Sequence, residues 1–114
     1  MMIIIDNGKI RKAYSASDYK NGVFEFCIKK VTGGFVSNYL YNMKKGDKIQ
    51  LSGPFGIFVL NEPVKRDALF LATGTGISAL KPMIYRFLKI GGNFKATLFL
   101  GVREVNEIIY KKEF

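Results

Sequence analysis

The chain contains no histidine and only one cysteine, Cys27, in 114 residues. Without histidine, neither a histidine-dependent catalytic triad nor a histidine zinc site can be built. A lone cysteine excludes an internal disulfide and a multi-cysteine metal centre within one chain, so no metal site is expected. No stretch approaches the roughly 18 consecutive apolar residues of a membrane span. The apolar start Met1–Ile5 is cut off by Asp6-Asn7-Gly8 too early for a secretory leader, and a cytoplasmic protein is expected. Internal repeats and low-complexity segments are also missing, so organisation has to be read from periodicity and turn residues.

Acidic residues are scarce. Nine Asp and Glu face eighteen Lys and Arg, for a formal charge of +9, which would attract nucleic acid, anionic lipid or a phosphorylated ligand. The lysines stand in scattered pairs (Lys29-Lys30, Lys44-Lys45, Lys111-Lys112) and not in the basic runs that mark nucleic-acid tails. A solvated basic surface is therefore the expectation, and a basic nucleic-acid-binding module is an alternative that rests on charge alone. What the chain does have is apolar material: 48% hydrophobic and 14% aromatic residues, enough for a folded globule with a modest core.

Turn residues divide the first half into short strands. "MIII", "DNG" and "KIRKAYS" read as a hairpin, because Asn7-Gly8 supplies the positive φ angles of a two-residue turn. Asn21-Gly22 introduces "VFEFCIKKV", where Phe24, Phe26 and Ile28 alternate with Glu25, Cys27 and Lys29 as in a half-buried strand. Thr32-Gly33-Gly34 breaks that strand. Val36, Tyr39, Leu40 and Met43 then recur at helical spacing, "KIQLSG" follows Gly46-Asp47, and "IFVL" reads as a last short strand.

After "NEPVKRD" the grammar changes. "ALFLA" is wholly apolar, as expected for a parallel strand covered on both faces. Ile77, Leu80, Ile84, Phe87 and Leu88 make a helical stripe that Gly91-Gly92-Asn93 ends, and "FKATLFL" is a second strand. A helix starting near Ser78 or Ala79 keeps Pro82 among first-turn positions, whose N–H groups are free in any case. "EVNEIIYKKEF" has early glutamates and late lysines that suit a helix dipole. The expected architecture is an α+β to α/β composite: a partial antiparallel barrel over 1–61, a linker over 62–67, and the first β-α-β-α part of a parallel-sheet domain over 68–114.

Between "ALFLA" and the helix the chain reads Thr73-Gly74-Thr75-Gly76. Ligands of parallel sheets sit beyond the carboxyl ends of strands, where backbone N–H groups and the positive helix end point outward. Gly74-x-Gly76-x-x-Ala79 has the spacing of a dinucleotide-phosphate turn in the strand-to-helix context that such a turn requires. The bland alternative is a tight turn with no ligand. Gly33-Gly34-Phe35-Val36-Ser37 is a second candidate anion site at a helix start, although Ser37 serving as a plain N-cap is the simpler local reading.

These stretches in this order resemble the ferredoxin-NADP reductase superfamily. "KAYS" (Lys12, Tyr14, Ser15) is similar to its R-x-Y-[ST] flavin motif, "GFVS" (Gly34 to Ser37) to its flavin-phosphate loop, and "GPFGIF" to the end of its barrel. "GTGISAL" is similar to its nicotinamide-phosphate loop, and "LFLGVREVNEIIYKKEF" to its second α/β strand with the following helix. Each string alone is common, but their order covers nearly the whole chain.

The resemblance implies a flavin-dependent NAD(P)H oxidoreductase that passes hydride from nicotinamide to FAD or FMN and electrons on to an acceptor protein. It implies that Tyr14 packs on the flavin ring and that Ser15, the one side chain given a catalytic role, hydrogen-bonds the flavin's reactive edge. Lys12 stands at the family's arginine position, with Arg11 beside it as an alternative phosphate partner. Gly34, Val36 and Ser37 would form the flavin-phosphate loop. Gly74, Thr75 and Gly76 would hold the nicotinamide cofactor's diphosphate, and Arg103 would lie near its adenosine end. Arg103 would favour NADPH, whereas Glu104 would favour NADH. Ala79 replaces the family's proline. Family members also carry strands before the position of Met1 and further α/β units after Phe114, so a fragment is expected, or a non-catalytic flavin-binding electron-transfer subunit completed by a partner chain.

Overall fold

The computed structural model describes residues Met1 to Phe114. Strands β1 (Met2–Ile5) and β2 (Ile10–Ala13) pair antiparallel from Met2↔Ala13 to Ile5↔Ile10. The turn between them has φ of 52° at Asn7 and 89° at Gly8, with the Lys9 N–H donating to the Asp6 carbonyl at 3.1 Å. These are the positive angles a two-residue hairpin turn needs. β3 (Asp18–Lys20) and β4 (Val23–Glu25) form a second hairpin around Asn21-Gly22. After α1 (Phe35–Asn42), β5 (Gln50–Ser52) returns to the free edge of β1, giving the sheet order β2-β1-β5. As the central strand, β1 buries Ile3, Ile4 and Ile5, and Ile3 and Ile5 pack with Val36 of α1.

The second part is a β-α-β unit. β6 (Ala68–Thr73) runs parallel to β7 (Ala96–Gly101), with Ala68 beside Ala96 and Thr73 beside Gly101. A single 3-10 turn, Gly74–Gly76, leads into α2 (Ile77–Ile90). Phe70, Ile77, Leu80, Ile84 and Phe87 form its core, with the Phe70 and Phe87 rings edge-on at 5.9 Å. No helix is long and apolar enough to cross a membrane.

Five expectations need correction. The "VFEFCIKKV" strand leaves its ladder after Glu25 and the expected alternation is lost: Phe24 and Glu25 are both exposed, Phe26, Cys27 and Ile28 are all half-buried, and Ile28 packs beside Ile3 and Ile5. "IFVL" forms no strand, because it has no partner strand and a strand exists only through its ladder. β6 is covered on one face only, because the one crossover helix packs on one side; Leu69, Leu71 and Phe99 are exposed on the other. Pro82 lies inside α2. The helix starts directly from the 3-10 turn because Ile77, fully buried, is needed as the first core residue, and Pro82 therefore leaves the Ser78 carbonyl without its helical donor. The expected C-terminal helix is only a short 3-10 turn, Val105–Glu107. Tyr110 adopts φ 59°, a left-handed conformation that interrupts a right-handed helix, and its side chain is drawn to a buried lysine instead.

That lysine is Lys81 of α2, 3% exposed. Its ammonium lies 3.1 Å from Glu25 Oε1 of β4, 2.8 Å from Glu113 Oε2, and 4.3 Å from the Tyr110 ring centroid. Glu25 Oε1 also accepts from the Ser17 hydroxyl at 2.7 Å and from the Tyr110 hydroxyl at 3.1 Å. Burial alone would lower the Lys81 pKa, but the Glu113 and Glu25 carboxylates outweigh it and hold the ammonium above its usual range. The Ser17 hydroxyl, then Lys81, hold Glu25 below its usual 4.5, and burial pushes the Tyr110 phenol up to about 12. No buried side-chain nitrogen or oxygen lacks a hydrogen-bond partner, as buried polar groups require.

Two outcomes follow for stability. Phe87→Ala empties the centre of the α2 core and is expected to cost about 3–5 kcal/mol in a urea unfolding titration. The Glu25 carboxylate stabilises the fold fully above pH 4.5 and loses that contribution as pH falls through its depressed folded-state pKa. Glu25→Gln should therefore flatten that acid limb when urea midpoints are followed downward from neutral pH, and an unchanged limb would show that Glu25 is not coupled to folding.

Candidate functional site

A cavity of about 670 Å³ opens where four segments of the chain converge, three of which carry expected site residues. From β2 and just beyond it come Lys12, Tyr14 and Ser15; from the start of α1, Gly34, Val36 and Ser37; from the turn after β6, Thr75 and Gly76. Eight of the ten expected site residues thus line one space. Gly74 and Arg103 do not line it. Gly74 takes φ 49° just before it, and Arg103 follows β7, whose end lies beside Thr73 in the parallel register. Arg103 is exposed, and its N–H donates to Glu107 Oε2 at 3.4 Å.

Each wall is built for a local reason. Tyr14 is half-buried: it packs beside the Ile3, Ile5 and Val36 cluster and also faces the cavity. Its backbone is tied to Met1 by bonds of 3.0 and 3.1 Å in both directions, which continues the hairpin to its last residue. Lys12, Ala13, Tyr14 and Ser15 line the cavity in succession, whereas Arg11 does not. Ser15 is exposed and also lines a second cavity walled by Phe24, Phe55 and Phe58.

The α1 wall differs from expectation at Ser37. Gly34 is the N-cap and Ser37 lies inside the first turn, so the plain N-cap reading is overturned. Its hydroxyl donates to the Gly34 carbonyl at 3.2 Å and accepts from the Val31 N–H at 3.2 Å, so it staples the loop. The first α-helical turn then leaves N–H groups of Phe35, Val36 and Ser37 without helical acceptors, since Asn38 makes the earliest such bond, to Gly34, at 3.1 Å. Gly34 itself has no room for a side chain: an added Cβ would stand 2.7 Å from Ser37 Oγ and 3.1 Å from the Val31 carbonyl.

The turn after β6 shows the opposite situation. At Gly76 the backbone is ordinary, φ −59°, and an added Cβ would meet no protein atom within 4 Å. Nothing in the chain itself requires glycine there, yet the position lines the cavity. A cradle that only a bound group would fill is what close backbone approach to a phosphate needs. Together with the free α1 amides, the Lys12 ammonium and the Tyr14 ring, these residues suit a flat aromatic cofactor carrying phosphate.

Cys27 and Lys29 also line the cavity and were not singled out as site residues. Ile28 between them lines it too, so strand alternation along this stretch does not single them out. Lys29 is paired with Glu107 at 3.0 Å, and this partner holds the Glu107 carboxyl below its usual range.

Residues 1–60 match the family described as oxidoreductase FAD-binding domain. The chain is 30% identical, over 99% of its length, to ferredoxin–NADP reductase B of Sorangium cellulosum (strain So ce56), covering 47% of that protein. It is 37% identical over 86% of its length to the toluate 1,2-dioxygenase electron transfer component of Pseudomonas putida, covering 30% of it. The Amycolatopsis cytochrome P450 reductase GcoB has the same fold over 99% of the chain, with a TM-score of 0.87 at 22% identity, and the match covers 36% of that structure. The chain thus spans less than half the length of each.

The two glycines of the turn should respond oppositely to alanine. Gly74→Ala forces a side chain into a left-handed conformation and is expected to cost about 1–2 kcal/mol. Gly76→Ala should stabilise the unliganded chain by about 0.4–1 kcal/mol, because it removes unfolded-state freedom at a compatible φ. Urea unfolding of both variants checks this, and a destabilised Gly76→Ala would mean that the chain's own packing requires glycine there.

Proposed function

The chain belongs to the oxidoreductase FAD-binding domain family, and from that premise we propose that it carries the flavin site and the dinucleotide-phosphate turn of a flavin-dependent NAD(P)H oxidoreductase. The observation that carries this reading is the single cavity shared by Lys12, Tyr14, Ser15, the α1 start and Thr75-Gly76. The flavin half is 1–61, the linker 62–67 and the nucleotide half 68–114.

FAD, when bound, supplies the acceptor for a hydride from NAD(P)H and returns electrons one at a time to a protein acceptor. The chain's own residues bind and orient. Tyr14 offers its ring as an apolar wall for the isoalloxazine, and Ser15 offers its exposed hydroxyl to the flavin's polar edge. Val36 and Ser37 give backbone N–H groups to phosphate, Gly34, whose own N–H is bonded to the Val31 carbonyl, keeps the loop clear of a side chain, and Lys12 is a point charge in place of arginine's planar fork. Gly74, Thr75 and Gly76 give their backbone to the nicotinamide cofactor's diphosphate, and Arg103, at the same sheet edge, serves its adenosine end. The acceptor is another redox protein, by analogy with the toluate 1,2-dioxygenase electron transfer component among the similar proteins.

A second reading, a non-catalytic flavin-binding subunit completed by a partner chain, is favoured by exposed apolar surface at Ile57, Phe58, Leu71 and Phe99. A monodisperse monomer that oxidises NAD(P)H would eliminate it.

The purified chain, or the chain titrated with FAD, should show protein-bound flavin absorbance and quenched flavin fluorescence. Lys12→Met should weaken FAD binding by about tenfold or more, the loss of one charge-assisted hydrogen bond. Colourless protein that takes up neither FAD nor FMN would overturn the reading.

A further inference from the structure

We propose that Lys81 is a positioning residue that sets the gap between the Tyr14–Ser15 wall and the Thr75–Gly76 turn through Glu25 and Ser17. The inference rests on the flavin and nicotinamide reading of the cavity.

The two walls belong to separate hydrophobic clusters, one around Ile3, Ile5 and Val36 and the other around Phe70 and Phe87. Their separation must therefore be held by something between the clusters. Ser17 lies two residues beyond Ser15, and its backbone N–H donates to the Glu25 carbonyl at 2.8 Å. Its hydroxyl donates to Glu25 Oε1 at 2.7 Å, and the same oxygen accepts from Lys81 Nζ at 3.1 Å. Lys81 stands one helical turn past Ile77, where α2 leaves the Gly74–Gly76 turn. A path of two hydrogen bonds thus joins the segment that follows Tyr14 and Ser15 to the helix that begins at the phosphate turn.

The lysine is suited to this because its charge is buried. A buried ammonium is costly unless paired, so Lys81 has a strong preference for the one arrangement in which its carboxylates reach it. Its second carboxylate, Glu113, comes from the C-terminal turn and touches neither wall. The two ion pairs differ in reach: Lys81–Glu25 joins the hairpin side to α2, with Glu25 also accepting from the tail's Tyr110 hydroxyl, while Lys81–Glu113 fastens the tail alone. The side chain of Glu25 is half exposed, so removing Lys81 leaves a carboxylate that water can solvate.

The test compares Lys81→Met, Glu25→Ala and Glu113→Gln in the full chain loaded with FAD. Two readouts are used: FAD affinity by fluorescence quenching, and the flavin difference spectrum on adding oxidised NAD or NADP, which reports cofactor approach without turnover. Lys81→Met and Glu25→Ala should keep FAD affinity within about twofold and lose the difference spectrum, with flavin reduction by NAD(P)H slowed by about tenfold to a hundredfold. Glu113→Gln should retain both, although it removes the shorter ion pair; a merely structural lysine would make it at least as damaging. If Lys81→Met does not fold, Glu25→Ala decides alone, because Lys81 then keeps Glu113. Wild-type difference spectra in Lys81→Met or Glu25→Ala, or their loss in Glu113→Gln, would overturn the inference while leaving the flavin reading intact. A wild-type chain that binds no FAD would overturn both.

Discussion

A buried ammonium with two carboxylates and an aromatic face organises this molecule. Lys81 sits on the helix of one hydrophobic cluster, and its partner Glu25 on a hairpin beside the other. Neither cluster reaches the other through apolar packing alone. A charge with almost no access to water tolerates only the geometry that pairs it, whereas apolar contact is non-directional. Directional bonds are the right device where two independently packed bodies must meet at a defined distance.

The cavity between those bodies follows from how their edges are finished. On one side, a hairpin ends with Tyr14, half in the core and half at the cavity, so the ring is anchored before any ligand arrives. Facing it, two helix starts present main-chain amides, and glycine removes side chains for different reasons at each. Gly34 is demanded by the chain, since Ser37 and Val31 occupy the space where a Cβ would go. Gly76 is not, since its φ is ordinary and its surroundings open. The contrast separates a glycine that serves the fold from one left for a ligand.

Much of this could be read before any coordinates. The Asn7-Gly8 hairpin, α1, the parallel strands and the glycine turn all carry local signals: positive-φ turn residues, helical spacing, an apolar run ending in glycine. Of the eight cavity residues, Gly76 and the Gly34–Ser37 helix start carry local signals, whereas Lys12, Tyr14, Ser15 and Thr75 were named only through the family resemblance. The failures share a cause as well. "EVNEIIYKKEF" has helical charge order, but Tyr110 and Glu113 are recruited to Lys81 and the helix is given up. Pro82 looked like a helix-start residue, yet the demand for Ile77 in the core began the helix earlier. Lys81 drew no reading from the sequence, since nothing in its neighbours along the chain announces a buried charge. Ser37 read as a cap because serine before a helix usually is one; the glycine ahead of it took that position.

By itself the amino-acid order determined the Asn7-Gly8 hairpin, α1, the parallel strands and the glycine turn with its bare amides, because turns and periodicities depend on residues within a few positions of one another. Only the tertiary structure decided that residues 12–15, 34–37 and Thr75-Gly76 share one cavity, and that Lys81 is buried between Glu25 and Glu113. Those facts depend on bonds such as Ser17 to Glu25 and Glu25 to Lys81, between residues up to 56 positions apart. Their energies come from desolvation and charge pairing in three dimensions, which no local pattern encodes.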